Sequence, residues 1–308
     1  MPESAAAGQP SLGHGVVGPG PRQPFGSRLA AAMAARGPLC VGIDPHPGLL
    51  ADWGLNDDVA GLERFSLTVL EAVATLAAAV KPQVALYERH GSAGMAVLER
   101  TLAAASDAGV LSIADAKRGD IGSTMAAYAD AWLRDGSALA ADSVTLSPYL
   151  GFESLRPALD LAAESGRGVF VLALTSNPEG KSVQHVGGSK SVARRIAEAA
   201  AAENRRYSGT SGSDGMGPAG LGSVGLVVGA TIGRALVELG LDLDAVHGPI
   251  LAPGLGAQGA TPADLRATFG AAYPAVLATS SRGILAAGPT IAGLRSATEA
   301  TRDGLVEG

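Results

Sequence analysis

Residues 115 to 121 read Asp-Ala-Lys-Arg-Gly-Asp-Ile, which crowds Asp115, Lys117 and Asp120 into one short segment. The preceding Leu111-Ser112-Ile113-Ala114 reads as a buried strand and the residues from Ile121 as a helix, so the group belongs at a strand's C-terminal end. Residues i and i+2 of a strand share a face, which makes Asp115 and Lys117 project together, with Asp120 on the turn beyond. Charged groups resist burial unless paired, so such a cluster is costly as mere architecture. A surface ion pair on a loop is the commoner origin of a charged cluster. The alternation with buried apolar residues argues against that origin, and the segment is assigned as a catalytic centre.

Other chemistries find less support. His14, His46, His90, His185 and His247 are scattered, with no H-x-x-x-H pair and no cysteine partners for zinc, so no metal site is expected. No G-x-S-x-G elbow is present for a serine hydrolase. Cys40, the only cysteine, lies in the apolar run Leu39-Cys40-Val41-Gly42-Ile43 and reads as a buried structural thiol. It rules out intrachain disulfides. The net charge of −6 and pI of about 5.4 leave no basic footprint for a nucleic-acid polymer. Any phosphate must therefore be captured by local groups. Apolar runs such as Ala72 to Val80 are too short for a membrane span. The Gly/Pro-rich residues 1–24 lack a secretory pattern and read as a disordered extension, which points to a cytoplasmic protein.

The elements that must position the charged segment follow a regular order. Strands are expected at 39–43, 82–87, 111–116, 143–146, 169–174, 225–230, 250–252 and 275–279. Helices are expected at 25–36, 59–79, 92–108, 121–134, 152–164, 191–205, 232–239, 262–269 and 290–302. A chain of 308 residues, 47% apolar and only 17% charged, suits strands buried on both faces. Eight strand-helix units predict a single (β/α)8 barrel domain over residues 25–308. A doubly wound open sheet is the alternative, because strand order is not visible in sequence. The Gly/Ser-rich residues 207–223 read as a flexible loop on the face opposite the site. A Met125/Tyr128/Ala129/Trp132 stripe on the third helix reads as core or subunit contact.

A barrel gathers its chemistry at the C-terminal strand ends. Those ends hold Asp44, the Asp115/Lys117/Asp120 group and Thr175-Ser176-Asn177. Lys81 stands at the start of the expected second strand, with a stem long enough to reach the cavity. Strand seven ends in Pro253-Gly254-Leu255-Gly256-Ala257-Gln258-Gly259 and strand eight in Ser280-Ser281-Arg282-Gly283. Glycine backbone amides, a helix N-terminus and the Arg282 fork make these two ends a phosphate site. Gly254, Gly256 and Gly259 also fit the dinucleotide fingerprint G-x-G-x-x-G, as do Gly13, Gly15 and Gly18, where no strand precedes. The acid that motif needs ~20 residues later is absent, since no Asp or Glu occurs from Leu265 to Thr298.

These residues resemble orotidine 5′-phosphate decarboxylase, in its longer bacterial form. The resemblance rests on Val41-Gly42-Ile43-Asp44-Pro45-His46-Pro47, Val80-Lys81-Pro82-Gln83 and Ala114 to Thr124 with its D-x-K-x-x-D-I core. It continues through Leu174 to Pro178, Ala252 to Gly259 and Ser281-Arg282-Gly283, and spans Phe25 to Arg302. It implies a (β/α)8 homodimer that needs no cofactor and acts on a nucleotide, orotidine monophosphate. Lys81, Asp115, Lys117 and Asp120 would form a charged network, with Asp120 supplied by the neighbouring subunit. Lys117 would protonate C6 of the pyrimidine as carbon dioxide leaves, with Asp115 beside the departing carboxylate. Asp44 and Lys81 would hold the ribose hydroxyls, Thr124 would reach the ribose across the dimer, and Ser176 would contact the base. Gln258 and Arg282 would grip the phosphate. Ser281 stands where the family carries glycine. An ammonium aimed at the carbon that gains electron density is electrostatic stabilisation of a transition state, and flanking carboxylates keep it charged.

Two other readings fit a barrel of this kind. A related Mg²⁺-dependent sugar-phosphate decarboxylase or synthase shares the D-x-K-x-x-D pattern but would want a carboxylate where Lys81 stands. A non-catalytic phosphate-binding barrel would not need the full charged network.

Overall fold

The computed structural model describes residues 22–208, 220–256 and 259–307. Most of the expected extension 1–24, most of the 207–223 loop, and Gln258 lie outside the described residues. Eight parallel strands close on themselves in sequence order: β1 Leu39–Ile43, β2 Ala79–Pro82, β3 Leu111–Arg118, β4 Ser143–Leu146, β5 Gly168–Leu174, β6 Val224–Val228, β7 Ile250–Pro253 and β8 Val276–Ser280. Closure is made by β1 on β8, with Leu39, Cys40 and Val41 opposite Ala278, Thr279 and Ser280. The fold is a (β/α)8 barrel and the open-sheet alternative is excluded.

Strand period two sorts side chains between the barrel's interior and its helical coat. Cys40, Ile113, Phe170, Val227, Leu251 and Leu277 fill the interior together with Phe25 and Leu29 of the helix Phe25–Arg36, which plugs the lower mouth. Phe25 meets Phe170 edge to face, ring centroids 5.9 Å apart. Gly168 makes room for it, since a Cβ there would fall 2.1 Å from the Phe25 ring. Further up β2, β3, β4 and β8 the interior turns polar, with Lys81, Asp115, Thr145 and Thr279. Outside the strands, Val, Leu and Ala side chains pack against the surrounding helices in one continuous core.

Three expectations need correction. The Ala-rich run to Ala79 is not one helix. The helix Val59–Val73 stops where guanidiniums from distant helices take its last carbonyls, Arg36 on Ala74 at 3.2 Å and Arg295 on Ala72 at 3.2 Å. The chain then enters β2 three residues earlier than expected, and residues 85–88 form a helical turn. Lys81 is therefore the third residue of β2 and not its start. Secondly, β3 runs on to Arg118, beyond the expected Ala116, and carries an irregularity. From Ala114↔Val144 to Arg118↔Leu146 it advances four residues while β4 advances two, and Lys117 takes a left-handed φ of 49°. Thirdly, the segment 232–239 holds only the helical turn Ala235–Glu238. The stripe on the helix Gly122–Leu133 is core within the single chain, with Met125, Ala129 and Trp132 buried.

Candidate active site

The upper mouth of the barrel opens into a cavity of about 340 Å³. Its charged lining residues are Asp44, Lys81, Asp115, Lys117 and Arg282, three cations against two anions in a chain of net charge −6. Local groups therefore make this mouth attractive to an anion where the molecule as a whole is not.

Asp115 is the hub. Its Oδ2 accepts from Lys81 Nζ at 2.7 Å and Gln83 Nε2 at 3.0 Å, while Oδ1 accepts from Lys117 Nζ at 2.6 Å and Thr145 Oγ1 at 3.0 Å. Four donors from three strands or strand ends thus converge on one carboxylate. Burial alone would raise the Asp115 pKa, but the Lys81 and Lys117 ammoniums outweigh it and hold the carboxyl well below the usual range. Burial alone would likewise lower Lys81, and the Asp115 and Asp44 carboxylates outweigh it and hold the ammonium well above the usual lysine value. Each group keeps its partner ionised, as a tightly hydrogen-bonded buried pair must. Lys117 differs in exposure: its side chain is 46% exposed while that of Lys81 is 7% exposed. Lys117 has access to a substrate and Lys81 is fixed beneath it. Buried below both, the Cys40 thiol is pushed up to about 12 by burial, which leaves it protonated and unreactive.

Around this pair, Asp44 follows β1 and presents a buried Oδ1 without a hydrogen-bond partner among the described residues, so it stands ready to accept from a hydroxyl. Gly42 beneath it lets Ser281 approach, since a Cβ there would lie 1.9 Å from the Ser281 hydroxyl. Beyond β7, Gly254, Gly256 and Gly259 all adopt positive φ, and Gly256 N–H donates to Ala260 at 2.9 Å. Arg282 opens the short helix Arg282–Leu285 after β8, exposed at the cavity rim. These two strand ends meet at the mouth of the cavity.

Not every expected residue reaches the cavity. Asp120 is half-buried on the turn before the helix Gly122–Leu133, and its Oδ1 accepts from Ile121 N–H at 2.8 Å. Neither it nor Thr124, exposed on the first turn of that helix, lines the cavity of its own chain. Thr175 lines the cavity after β5, whereas Ser176 next to it is exposed. Gln258 lies outside the described residues.

Sequence reasoning missed Thr145 altogether and assigned Gln83 no role. The signal for Thr145 was the polar alternation of Ser143 and Thr145 in an otherwise apolar strand, which marks an interior polar layer. His46, expected as a loop residue, stands at the rim before the helix Pro47–Asp52 and lines the cavity. Among the described residues, no group of three or more His, Cys, Asp or Glu side chains is placed to hold a metal ion.

Comparison with known proteins gives consistent results. A sequence model described as the orotidine 5′-phosphate decarboxylase / HUMPS family matches residues 37–297. The chain is 58% identical over 277 residues to the orotidine 5′-phosphate decarboxylase of Salinispora arenicola, covering 89% of this chain and 94% of that one. It is 56% identical over 280 residues to the protein of that name from Streptomyces coelicolor, covering 90% and 95%. A crystal structure of a Streptomyces avermitilis protein with the same description, given provisionally, superposes with a TM-score of 0.85 at 56% identity, covering 93% of this chain and 96% of that one.

Proposed function

The chain belongs to the orotidine 5′-phosphate decarboxylase / HUMPS family, and from that premise we propose that it converts orotidine monophosphate to uridine monophosphate and carbon dioxide, a step of pyrimidine biosynthesis. The observation that carries this reading is the Asp115 carboxylate held between a buried Lys81 and an accessible Lys117 at the cavity floor. When the bond between C6 and the carboxylate breaks, its electron pair stays on C6 and carbon dioxide leaves neutral. The Lys117 ammonium stabilises that charge and gives its proton to C6, then regains one from solvent. A positive group fixed where charge develops needs no reorganisation during reaction, which is why it favours the transition state over the ground state.

The remaining roles are proposals on the same footing. Asp115 stands beside the departing carboxylate, Asp44 and Lys81 hold the ribose, and Arg282 with Gln258 and the Ser281 strand end grips the phosphate. The assembly is a homodimer in which Asp120 and Thr124 complete the neighbour's site. The position of Asp120 and Thr124 outside their own cavity supports that assignment. So do Ile121, Tyr149 and Leu150, large apolar side chains exposed on adjoining loops of the same rim. No helix among the described residues is long and apolar enough to cross a membrane, and we assign the enzyme to the cytoplasm.

Lysine serves as the electrophile here, so the reaction is expected to proceed without a metal or cofactor. Lys81, where the Mg²⁺-dependent branch of the superfamily would want a carboxylate, supports that expectation. Ultraviolet-monitored loss of orotidine monophosphate should run at the same rate with and without EDTA. Activity that disappears in EDTA and returns with Mg²⁺ would move the chain to that branch, and absence of turnover would leave a phosphate-binding barrel.

A further inference from the structure

Lys117 adopts a backbone conformation that residues bearing a Cβ seldom populate, with φ at 49°. It does so inside the β3 irregularity, where four residues of β3 run against two of β4. Such a bulge re-aims a side chain, and something must hold it. On the outer side the hold is Arg118. Its guanidinium pairs with Glu88 and lies 5.6 Å from the Tyr128 ring centroid and 5.7 Å from that of Trp132, and its carbonyl accepts from Ser147 N–H at 2.7 Å. On the inner side one group is in place. Thr145 of β4, opposite the bulge and 1% exposed, accepts from Lys117 N–H at 2.9 Å and stands 3.0 Å from Asp115 Oδ1.

A threonine hydroxyl has one proton and two lone pairs. With the Lys117 amide proton directed at its oxygen, its own proton goes to the Asp115 carboxylate, which can only accept. One hydroxyl therefore ties the backbone of Lys117 to the carboxylate that its side chain grips at 2.6 Å. The geometry points to Thr145 as a positioning residue of this site: it holds the left-handed turn at Lys117 and aims Asp115 Oδ1 at the ammonium. Thr145 lines the cavity, but its hydroxyl is committed to those two residues, and it acts through them. This assignment rests on the decarboxylase reading above and deepens it. Nothing in the sequence motif around Asp115 contains it, because Thr145 comes from the next strand.

The test is Thr145→Val, which keeps the shape and removes the hydroxyl, beside Thr145→Ser, which keeps the hydroxyl. Misplacing a reacting group by a fraction of its bond reach costs rate more than binding, so Thr145→Val should lower kcat by about 10- to 100-fold. KM for orotidine monophosphate should stay within about threefold, because binding groups are untouched. The thermal transition should stay within ~5 °C, since Arg118 still pins the outer side. Thr145→Ser should recover most of kcat. Wild-type kcat in Thr145→Val overturns the assignment. So does a joint loss of kcat, KM and thermal stability that serine fails to repair, which would mark Thr145 as a packing residue. If the valine variant does not fold, Thr145→Ala must show the same kcat deficit with KM preserved, or the assignment falls. Wild-type protein that does not decarboxylate the substrate at all would defeat the functional reading instead, so the two failures are distinguishable.

Discussion

At the scale of single residues, Asp115 and Lys117 have separable duties. Asp115 is buried with two ammoniums and two neutral donors on its oxygens, so Asp115→Asn would leave Lys81 charged, buried and largely uncompensated. Removing one partner of a buried pair costs about 3–5 kcal/mol, and urea denaturation at pH 7 should show a loss of that order. The pH dependence follows from the directions of the shifts. The folded Asp115 carboxyl sits below its unfolded value of ~3.9, so its contribution is present above that pH and is lost as pH falls below it. The folded Lys81 ammonium sits above its unfolded value of ~10.4, so its contribution is present below that pH and is lost as pH rises beyond it. Between roughly pH 5 and 9 the intact network should add no slope to stability. Asp115→Asn should instead lower the curve most at its acidic end, because burial then disfavours the Lys81 ammonium and the penalty eases as rising pH lets it lose its proton. Lys117→Ala is a different matter. Its side chain is 46% exposed, so the thermal transition should stay near wild type while kcat falls by ~10³-fold or more. Steady-state kinetics beside a melting curve reads both, and near-normal turnover would remove Lys117 as proton donor.

At the scale of elements, the helix Phe25–Arg36 is the clearest case of a segment that matters to the site without approaching it. It closes the lower mouth, and Phe25 is fully buried against Phe170. Arg28 adds an ion pair to Asp142 and donates to the Gly166 carbonyl at 3.0 Å, while Asp142 Oδ2 accepts from Ser112 N–H at 3.0 Å. The plug thus reaches the lower ends of β3 and β5. Phe25→Ala should cost about 3–5 kcal/mol, the usual range for truncating a buried phenylalanine. Below its unfolding temperature the variant should keep wild-type kcat and KM, because the chemistry lies at the other end of the strands. Denaturant titration with an assay of the folded fraction checks both. Unchanged stability would mean the interior collapses onto the vacated space.

At the scale of the whole molecule, the division of one site between two chains is the decisive expectation. Lys117 lines its own cavity and Asp120 does not. If Asp120 serves the partner, a Lys117→Ala/Asp120→Ala heterodimer carries both lesions in one site and neither in the other. Mixing the two inactive homodimers under subunit exchange should then restore activity. Random exchange makes about half of the dimers mixed, each with one intact site, or up to roughly a quarter of wild-type sites for a two-fold dimer. Exchange proven by native mass spectrometry with no recovered activity would return Asp120 to its own chain or remove it from catalysis.

The charged segment, the strand-helix count and the Arg282-Gly283 strand end were legible in the sequence, because alternation and helical periodicity are local properties and the D-x-K-x-x-D-I spacing is compact. Barrel closure was not, since the pairing of β1 with β8 joins residues such as Val41 and Ser280 that no local pattern links. Neither was the true start of β2. Alanine favours helix wherever packing is silent, and only the distant Arg36 and Arg295 guanidiniums mark where that helix ends. Lys117 shows the division most closely. Strand alternation correctly put it beside Asp115, but through a regular pleat, whereas the chain reaches that contact through a left-handed turn. The turn depends on a hydroxyl from β4, and a residue's backbone conformation is settled by what its amide meets across the sheet as much as by its own side chain.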